Sequence, residues 1–102
     1  MEPAIAPPTT KKVTQDKPRL TPRYRVLVHN DDITHADFVV YVLMTVFKKD
    51  VNEAFEIMST AHVSGIALVT VLPLEEAEFR TEQAHSLART QKFPLTFTYE
   101  PE

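Results

Sequence analysis

The sequence predicts a single two-layer α+β domain, in which a three-stranded antiparallel sheet packs against three helices in the order β-α-α-β-α-β. The chain has 102 residues, which suffices for one small domain. Hydrophobic residues make up 43% and charged residues 25%, as in an average globular protein with a modest core. Three short segments are rich in strand formers, and three longer ones carry apolar residues at helical spacing. Three strands can cover three helices in two layers, which gives the predicted class.

The first predicted strand and helix flank a polar turn. Residues 24–29 alternate loosely and are rich in strand formers, and the polar residues 30–32 form a turn cluster. Thr34 is then predicted to cap a helix, with Asp37 in the position of a capping box. The helix is expected to end near Lys48, since its apolar positions follow at helical spacing as Ala36, Val39, Val40, Leu43, Val46 and Phe47.

Capping signals also delimit the second helix and the strand that follows it. Asp50 with Glu53 predicts the start of the helix, and Gly65 supplies a left-handed residue at its end. Residues 66–72 are apolar at nearly every position, which predicts a strand buried on both faces. Pro73 is predicted to end that strand.

The third helix and the last strand complete the domain. Acidic residues at 75 and 76 and basic residues at 89 and 92 suit the two ends of a helix dipole. Residues 95–99 alternate strictly between two prolines and predict the last strand. The side of the helix expected to be buried consists of Leu74, Ala77, Thr81, Ala84, Leu87 and Ala88.

Composition excludes several classes of site. The absence of cysteine excludes disulfides, thiolate zinc sites, iron–sulfur clusters and a cysteine nucleophile. With Gly65 as its one glycine, the chain cannot form a glycine-rich phosphate loop. No run approaches the roughly 18 apolar residues of a membrane helix, so no membrane association is predicted.

Charge and proline divide the chain into two parts. Residues 1–22 hold five of the eight prolines and show no apolar period, which predicts a flexible N-terminal arm before an ordered domain at 23–102. Residues 1–25 carry six basic and two acidic side chains, and residues 26–102 carry five basic and twelve acidic ones. The acidic body argues against nucleic acid as a ligand and suits a cationic ligand or a protein partner.

The densest polar cluster is His29-Asn30-Asp31-Asp32, followed by Thr34 and His35. It is open to four interpretations: a metal site, a hydrolase that uses an aspartate as base, a turn that only caps a helix, and a cation site. Adjacent carboxylates on a turn seldom converge on one ion, and no catalytic spacing accompanies them. Taken alone, the cluster is typical of a turn. An ammonium would nevertheless find acceptors in the Asn30 carbonyl, the Asp31 carboxylate and a neutral histidine.

The motifs around this cluster are specific in combination. They run over about residues 23–99 and comprise Arg25-Val26-Leu27-Val28-His29-Asn30-Asp31-Asp32-Ile33-Thr34, Phe38-Val39-Val40, Val42-Leu43-Met44, Glu53-Ala54, Ile57-Met58, Ala61-His62, Gly65, Ala77-Glu78, Ala84 and Phe93-Pro94-Leu95. This pattern resembles the ClpS family. The resemblance implies an adaptor that brings N-degron substrates to a Clp AAA+ unfoldase and its peptidase.

The resemblance further implies a site for the free α-amino group of a protein's first residue, beside a pocket for its side chain. Asn30, Asp31 and His62 would hold the ammonium, whereas Asp32 is interpreted as a turn residue. A polar end and an apolar wall would suit a first residue such as Leu, Phe, Tyr or Trp. The side-chain pocket would be lined by Ile33, Thr34, Ala36, Val39, Met58, Ala61 and Leu95.

Two positions depart from the family pattern. The family usually carries Met at the position of Ala36, at the rim of the pocket, and proline at the position of His35. Met to Ala removes several heavy atoms from a wall that would otherwise exclude β-branched side chains. We therefore expect a wider pocket that admits Ile or Val.

The resemblance also implies partners and excludes catalysis. Glu75 and Arg80 match positions that contact the unfoldase, and the arm would serve as a tether. We expect a monomer without enzymatic activity, cofactor or metal, acting with an unfoldase of the ClpA or ClpC type and its ClpP peptidase. The expected compartment is the cytoplasm, or a plastid stroma if Met1 is not the natural start. The alternatives are a ribosomal-stalk-like interaction domain and a small metal-dependent hydrolase that uses Asp31, Asp32 and His35.

Overall fold

The structure, a computed structural model, describes residues 22–102. The predicted arm, residues 1–22, lies outside this part of the chain except for Pro22. The order of the elements is the predicted one. They are β1 (Arg23–His29), α1 (Ala36–Thr45), α2 (Val51–Ser64), β2 (Ile66–Pro73), α3 (Leu74–Thr90) and β3 (Thr96–Pro101).

The sheet has the order β2-β1-β3, with β1 antiparallel to both neighbours. The predicted α+β class is thereby confirmed. His29 at the end of β1 lies opposite Ile66 on one side and Thr96 on the other. The polar turn that follows His29 therefore leaves the sheet from its centre, where the start of β2 and the start of β3 both lie close by.

Strand β2 is not buried on both faces, contrary to the sequence prediction. Ala67 and Val69 are buried, whereas Ile66 and Leu68 are 40% and 51% exposed. The strand order places β2 at an edge of the sheet. Its buried residues join the core formed with Val26 and the helices, so the strand has one covered and one open face, as antiparallel sheets commonly do.

Helix α1 is shorter than predicted at both ends. Its N-cap is His35, which makes no side-chain capping bond. Thr34, the predicted cap, instead donates its hydroxyl to Asp31 Oδ2 at 2.8 Å. The helix ends at Thr45. The chain then turns through Lys48, whose φ of 61° is incompatible with a continued helix. A residue far along the chain stabilises this end of the helix, since Arg80 Nη1 donates to the Val46 carbonyl at 2.6 Å.

Helix α2 begins and ends as predicted. Asp50 is its N-cap and accepts from the Glu53 amide at 2.8 Å. Gly65 ends the helix at a φ of 90°, and its N–H donates to the Ala61 carbonyl at 2.7 Å. This left-handed residue reverses the chain directly into β2 and so places the last turn of α2 beside the sheet.

Replacing Gly65 by Ala is expected to lower the free energy of unfolding by about 1–2 kcal/mol, the cost of a left-handed conformation for a residue with a Cβ. No heavy atom lies within 4 Å of the position that the Cβ would take, so the loss is conformational rather than steric. Urea unfolding of the variant beside Ser64→Ala, a change in the preceding helical turn, measures it. Equal midpoints for Gly65→Ala and the unchanged chain would contradict this expectation.

Helix α3 covers the sheet with small residues. Ala77, Thr81, Ala84 and Ala88 are buried, which agrees with the predicted side, but Leu74 is 37% exposed at the start of the helix. Small side chains on α3 leave room for larger ones from the other elements. Phe97 of β3 fills part of this space and stacks on Phe47, with ring centroids 5.1 Å apart.

Candidate functional site

A cavity of about 260 Å³ lies where β1 leaves the sheet and α1 begins. This volume is below the roughly 300 Å³ of the smallest pockets for drug-sized ligands, so the cavity suits a group the size of one side chain. Four parts of the chain meet there: the end of β1 with its turn, the first turns of α1, the last turns of α2 and the segment before β3. The lining residues are Val28, His29, Asn30, Asp31, Asp32, Thr34, Ala36, Val39, Met58, Ala61, His62 and Leu95.

The structure brings nine of the ten residues predicted for the amino-group site and the side-chain pocket to this cavity. Ile33 is the exception. This residue is 62% exposed and does not line the cavity. Its N–H donates to Asp31 Oδ1 at 2.8 Å, so its backbone is held in the turn that places Thr34, rather than Ile33, on the cavity lining.

Asp31 organises this turn. Its Oδ1 accepts from the N–H groups of Ile33 and Thr34 at 2.8 and 2.7 Å, and its Oδ2 accepts from the Thr34 hydroxyl at 2.8 Å. Asp32 was predicted to form the turn, but among the described residues it is Asp31 that makes these bonds. A carboxylate offers about four acceptor positions, and three are used here. One acceptor position, on Oδ2, is not used by these three bonds.

The hydrogen bonds also determine the charge state of Asp31. Burial by itself raises its pKa, but the three bonds from Thr34 and Ile33 outweigh burial and hold the pKa below its usual value of 3.8. Asp31 is therefore ionised at neutral pH. A carboxylate with a lowered pKa contributes stability above its ordinary pKa and loses it only in strong acid. The negative charge at this end of the cavity thus persists throughout the physiological range.

A backbone bond joins the two elements that carry the predicted amino-group ligands. The Asn30 N–H donates to the Gly65 carbonyl at 2.9 Å. This bond holds the turn with Asn30 and Asp31 against the end of α2, where His62 lies three residues before Gly65. Asn30 and Asp31 from the turn and His62 from α2 therefore line the same cavity.

The rest of the lining is mostly apolar. Ala36 and Val39 lie three residues apart on α1, and Met58 and Ala61 lie three apart on α2, so each pair shares a helix face. Val39, Ala61 and Leu95 are buried and Met58 is half-buried. The short side chain of Ala36 is the smallest contribution from α1.

Three further lining residues were not predicted for the site: Val28, His29 and Asp32. Val28 and His29 end β1, and Asp32 belongs to the turn. His29 Nε2 lies 2.7 Å from Thr98 Oγ1, which joins the end of β1 to β3. The one sequence signal that could have placed Val28, His29 and Asp32 at the cavity was their position close to Asn30 along the chain.

The second predicted surface lies on α3. Glu75 is exposed in the first turn, whereas the Arg80 side chain is 23% exposed. Arg80 donates to the Val46 carbonyl at 2.6 Å and lies 3.5 Å from Glu76 Oε2. Within the protein, Arg80 therefore stabilises the end of α1.

Residues 22–102 contain neither a metal-binding cluster nor a membrane-spanning helix. Nowhere in that part of the chain do three or more histidine, aspartate or glutamate side chains lie where they could hold a metal ion. None of its helices combines the length and apolar character needed to cross a membrane.

The model of a protein family, described as ATP-dependent Clp protease adaptor protein ClpS, matches residues 19–98. The chain belongs to the ClpS family. It is 43% identical over 101 residues to the ClpS adapter protein of Desulforapulum autotrophicum, and the aligned region covers 99% of this chain and 96% of that protein. It is 40% identical over 92 residues to ClpS 2 of Rhizobium meliloti, which covers 90% of this chain and 91% of that protein.

A solved structure agrees with the fold of this ClpS-family chain. The structure of Agrobacterium tumefaciens ClpS2 bound to L-phenylalaninamide matches with a TM-score of 0.78 and 39% identity, covering 80% of this chain and 99% of that one. ClpS proteins are adaptors of the ATP-dependent Clp protease. The chain is therefore an adaptor and not an enzyme, and the hydrolase alternative is wrong.

Proposed function

We propose that this chain binds the first residue of N-degron proteins, through its free α-amino group and bulky hydrophobic side chain, and delivers them to a Clp AAA+ unfoldase. The observation that carries the proposal is the composition of the cavity lining. It combines an ionised carboxylate and further polar side chains with a largely buried set of apolar ones. The ClpS2 relative with bound L-phenylalaninamide supports it, since that ligand combines a free α-amino group with a benzyl side chain.

The polar end offers one acceptor for each of the three N–H donors of an ammonium. Asp31 supplies its remaining carboxylate position, Asn30 its amide oxygen and His62 a ring nitrogen. Asp31 also supplies the opposite charge, and a charge-assisted hydrogen bond is stronger than a neutral one. A first residue that lacks a free amino group leaves these acceptors unpaired.

The apolar wall receives the side chain of the first residue. Val39, Met58, Ala61 and Leu95 supply contacts, and burying a Leu or Phe side chain contributes about 1.5–3 kcal/mol. Ala36 gives the cavity more room on the side of α1 than a longer side chain there would. We therefore propose that this adaptor accepts Ile and Val as well as Leu, Phe, Tyr and Trp.

Delivery requires a second contact, with the unfoldase. We propose Glu75 and Arg80 of α3 for that contact, with residues 1–22 as a tether. The partner would be an unfoldase of the ClpA or ClpC type with ClpP. The adaptor would bind it as a monomer, in the cytoplasm. Binding to both partners raises the effective concentration of substrate at the unfoldase, because the second encounter becomes intramolecular.

Degradation of a fluorescent protein that begins with Leu tests the proposal as a whole. Adding the full chain to a Clp unfoldase and peptidase is expected to accelerate its loss by about tenfold or more at substrate concentrations well below saturation, since tethering raises the effective concentration. The same protein beginning with Met is the matched control and should not respond. Equal acceleration of both substrates, or of neither, would contradict the proposed function.

A further inference from the structure

Strand β3 forms the edge of the sheet opposite β2, and one of its outward N–H groups has a side-chain acceptor. The Glu102 N–H donates to the Arg23 carbonyl on β1. N–H groups along a strand alternate between the neighbouring strand and the outside. Phe97 lies five residues before Glu102, so its N–H points away from β1. This N–H donates to His85 Nε2 on α3 at 2.9 Å.

The bond requires a neutral His85 with its proton on Nδ1, because a ring nitrogen that carries a proton cannot accept. The surroundings favour that state. Burial lowers the pKa of His85 and Arg89 adds to this effect. Glu82 on the same helix and the backbone of Phe97 oppose it, but the pKa still lies below its ordinary value. The group that β3 presents to the ring is the Phe97 amide. At neutral pH the ring is therefore an acceptor.

The bond between the Phe97 N–H and His85 lies close in sequence to a residue that lines the cavity. Leu95, a buried lining residue, comes two residues before Phe97. On its other side, the Phe93 N–H donates to the Ala88 carbonyl of α3 at 3.0 Å. Leu95 thus lies midway between two hydrogen bonds that hold its segment to α3, and His85 provides the second. His85 itself is not among the residues that line the cavity.

We propose that His85 is a positioning residue for the cavity, which holds the wall formed by Leu95 by accepting the Phe97 N–H. The role rests on the proposed function, since a wall is needed only if a side chain packs against it. Without the acceptor, the Phe97 N–H hydrogen-bonds to water instead, and the segment that carries Leu95 becomes more mobile. Contacts with a bulky first residue then weaken, although the amino-group site is unchanged.

Two nearly isosteric substitutions test the role. His85→Gln keeps an acceptor oxygen near the place of Nε2, whereas His85→Met has a similar length and offers only a weak sulfur acceptor. In His85→Met, we expect the affinity for a peptide beginning with Leu to fall by about three- to tenfold, the range for one hydrogen bond. We expect His85→Gln to stay within about twofold of the unchanged chain. Amide hydrogen exchange at Phe97, measured by NMR, should accelerate by about tenfold or more in His85→Met alone.

Urea unfolding establishes that both variants fold. A folded His85→Met with unchanged affinity would overturn the proposal, and so would equal losses in the two variants, since a mere packing role does not distinguish Gln from Met. If the unchanged chain binds an N-acetylated copy of the peptide as well as the free one, the proposed function fails and the positioning role fails with it. Exchange at Phe97 would still report on the bond in that case.

Discussion

N-acetylation of a peptide that begins with Leu is expected to lower its affinity for this chain by at least about a hundredfold. Acetylation removes the positive charge and leaves one N–H donor of the three. Asp31 stays ionised, because the hydrogen bonds of its turn lower its pKa, so its charge is left without a partner. Each hydrogen bond to a charged group contributes about 1.5–3 kcal/mol, and the loss of two accounts for the expected factor.

Fluorescence anisotropy of a peptide labelled at its C-terminus measures this effect. Asp31→Asn is the matched variant, because an amide oxygen can still accept from the N–H groups of Ile33 and Thr34 while the charge is gone. The variant should weaken binding of the free peptide and leave the acetylated peptide unchanged. Free and acetylated peptides that bind equally well would remove α-amino recognition from the function of this cavity.

Replacing Ala36 by Met is expected to make the cavity reject β-branched first residues. In the unchanged chain, we expect peptides beginning with Ile or Val to bind within a hundredfold of the Leu peptide. Ala36 lies one turn before the buried Val39 and lines the cavity. Forcing extra methylene groups against a packed side chain costs about 1–3 kcal/mol. The affinity for Ile and Val peptides should therefore fall by about five- to 150-fold, while the flexible Met side chain accommodates Leu.

Titrations with peptides beginning with Leu, Ile and Val give the affinity for Ile and Val relative to Leu. This ratio shows whether Ala36 sets the tolerance for β-branched first residues. Tyr41→Met is a control on the same helix, since Tyr41 is exposed and does not line the cavity. It should leave all three affinities unchanged. Rejection of Ile and Val by the unchanged chain at a hundredfold or more, or an unaltered ratio in Ala36→Met, would show that Ala36 does not widen the specificity.

Signals that act over a few residues predicted the elements well. Asp50 with Glu53, and Gly65 at its left-handed φ, set the bounds of α2 from contacts within one turn of the chain. Periodicity also predicted the order of strands and helices. It could not predict the burial of β2, because the exposure of Leu68 follows from the position of that strand at an edge.

The start of α1 shows where local signals compete. Thr34 and Asp31 both carry side-chain groups that satisfy backbone N–H groups at a helix start or turn. The capping pattern favoured Thr34, but in the structure Asp31 accepts from Thr34 and Ile33, and Thr34 caps nothing. This outcome also removes Ile33 from the cavity lining, although the resemblance had included it.

By itself, the sequence determined the α+β class, the order of the elements and, through its resemblance to ClpS, nine residues that line one cavity. The tertiary structure decided how these residues meet, because they come from four separate stretches of chain. It alone showed the bonds from Arg80 to the Val46 carbonyl and from the Phe97 N–H to His85. Such bonds join residues 34 and 12 positions apart. Periodicity and capping describe neighbours within a turn, so contacts of this range arise only when the elements pack.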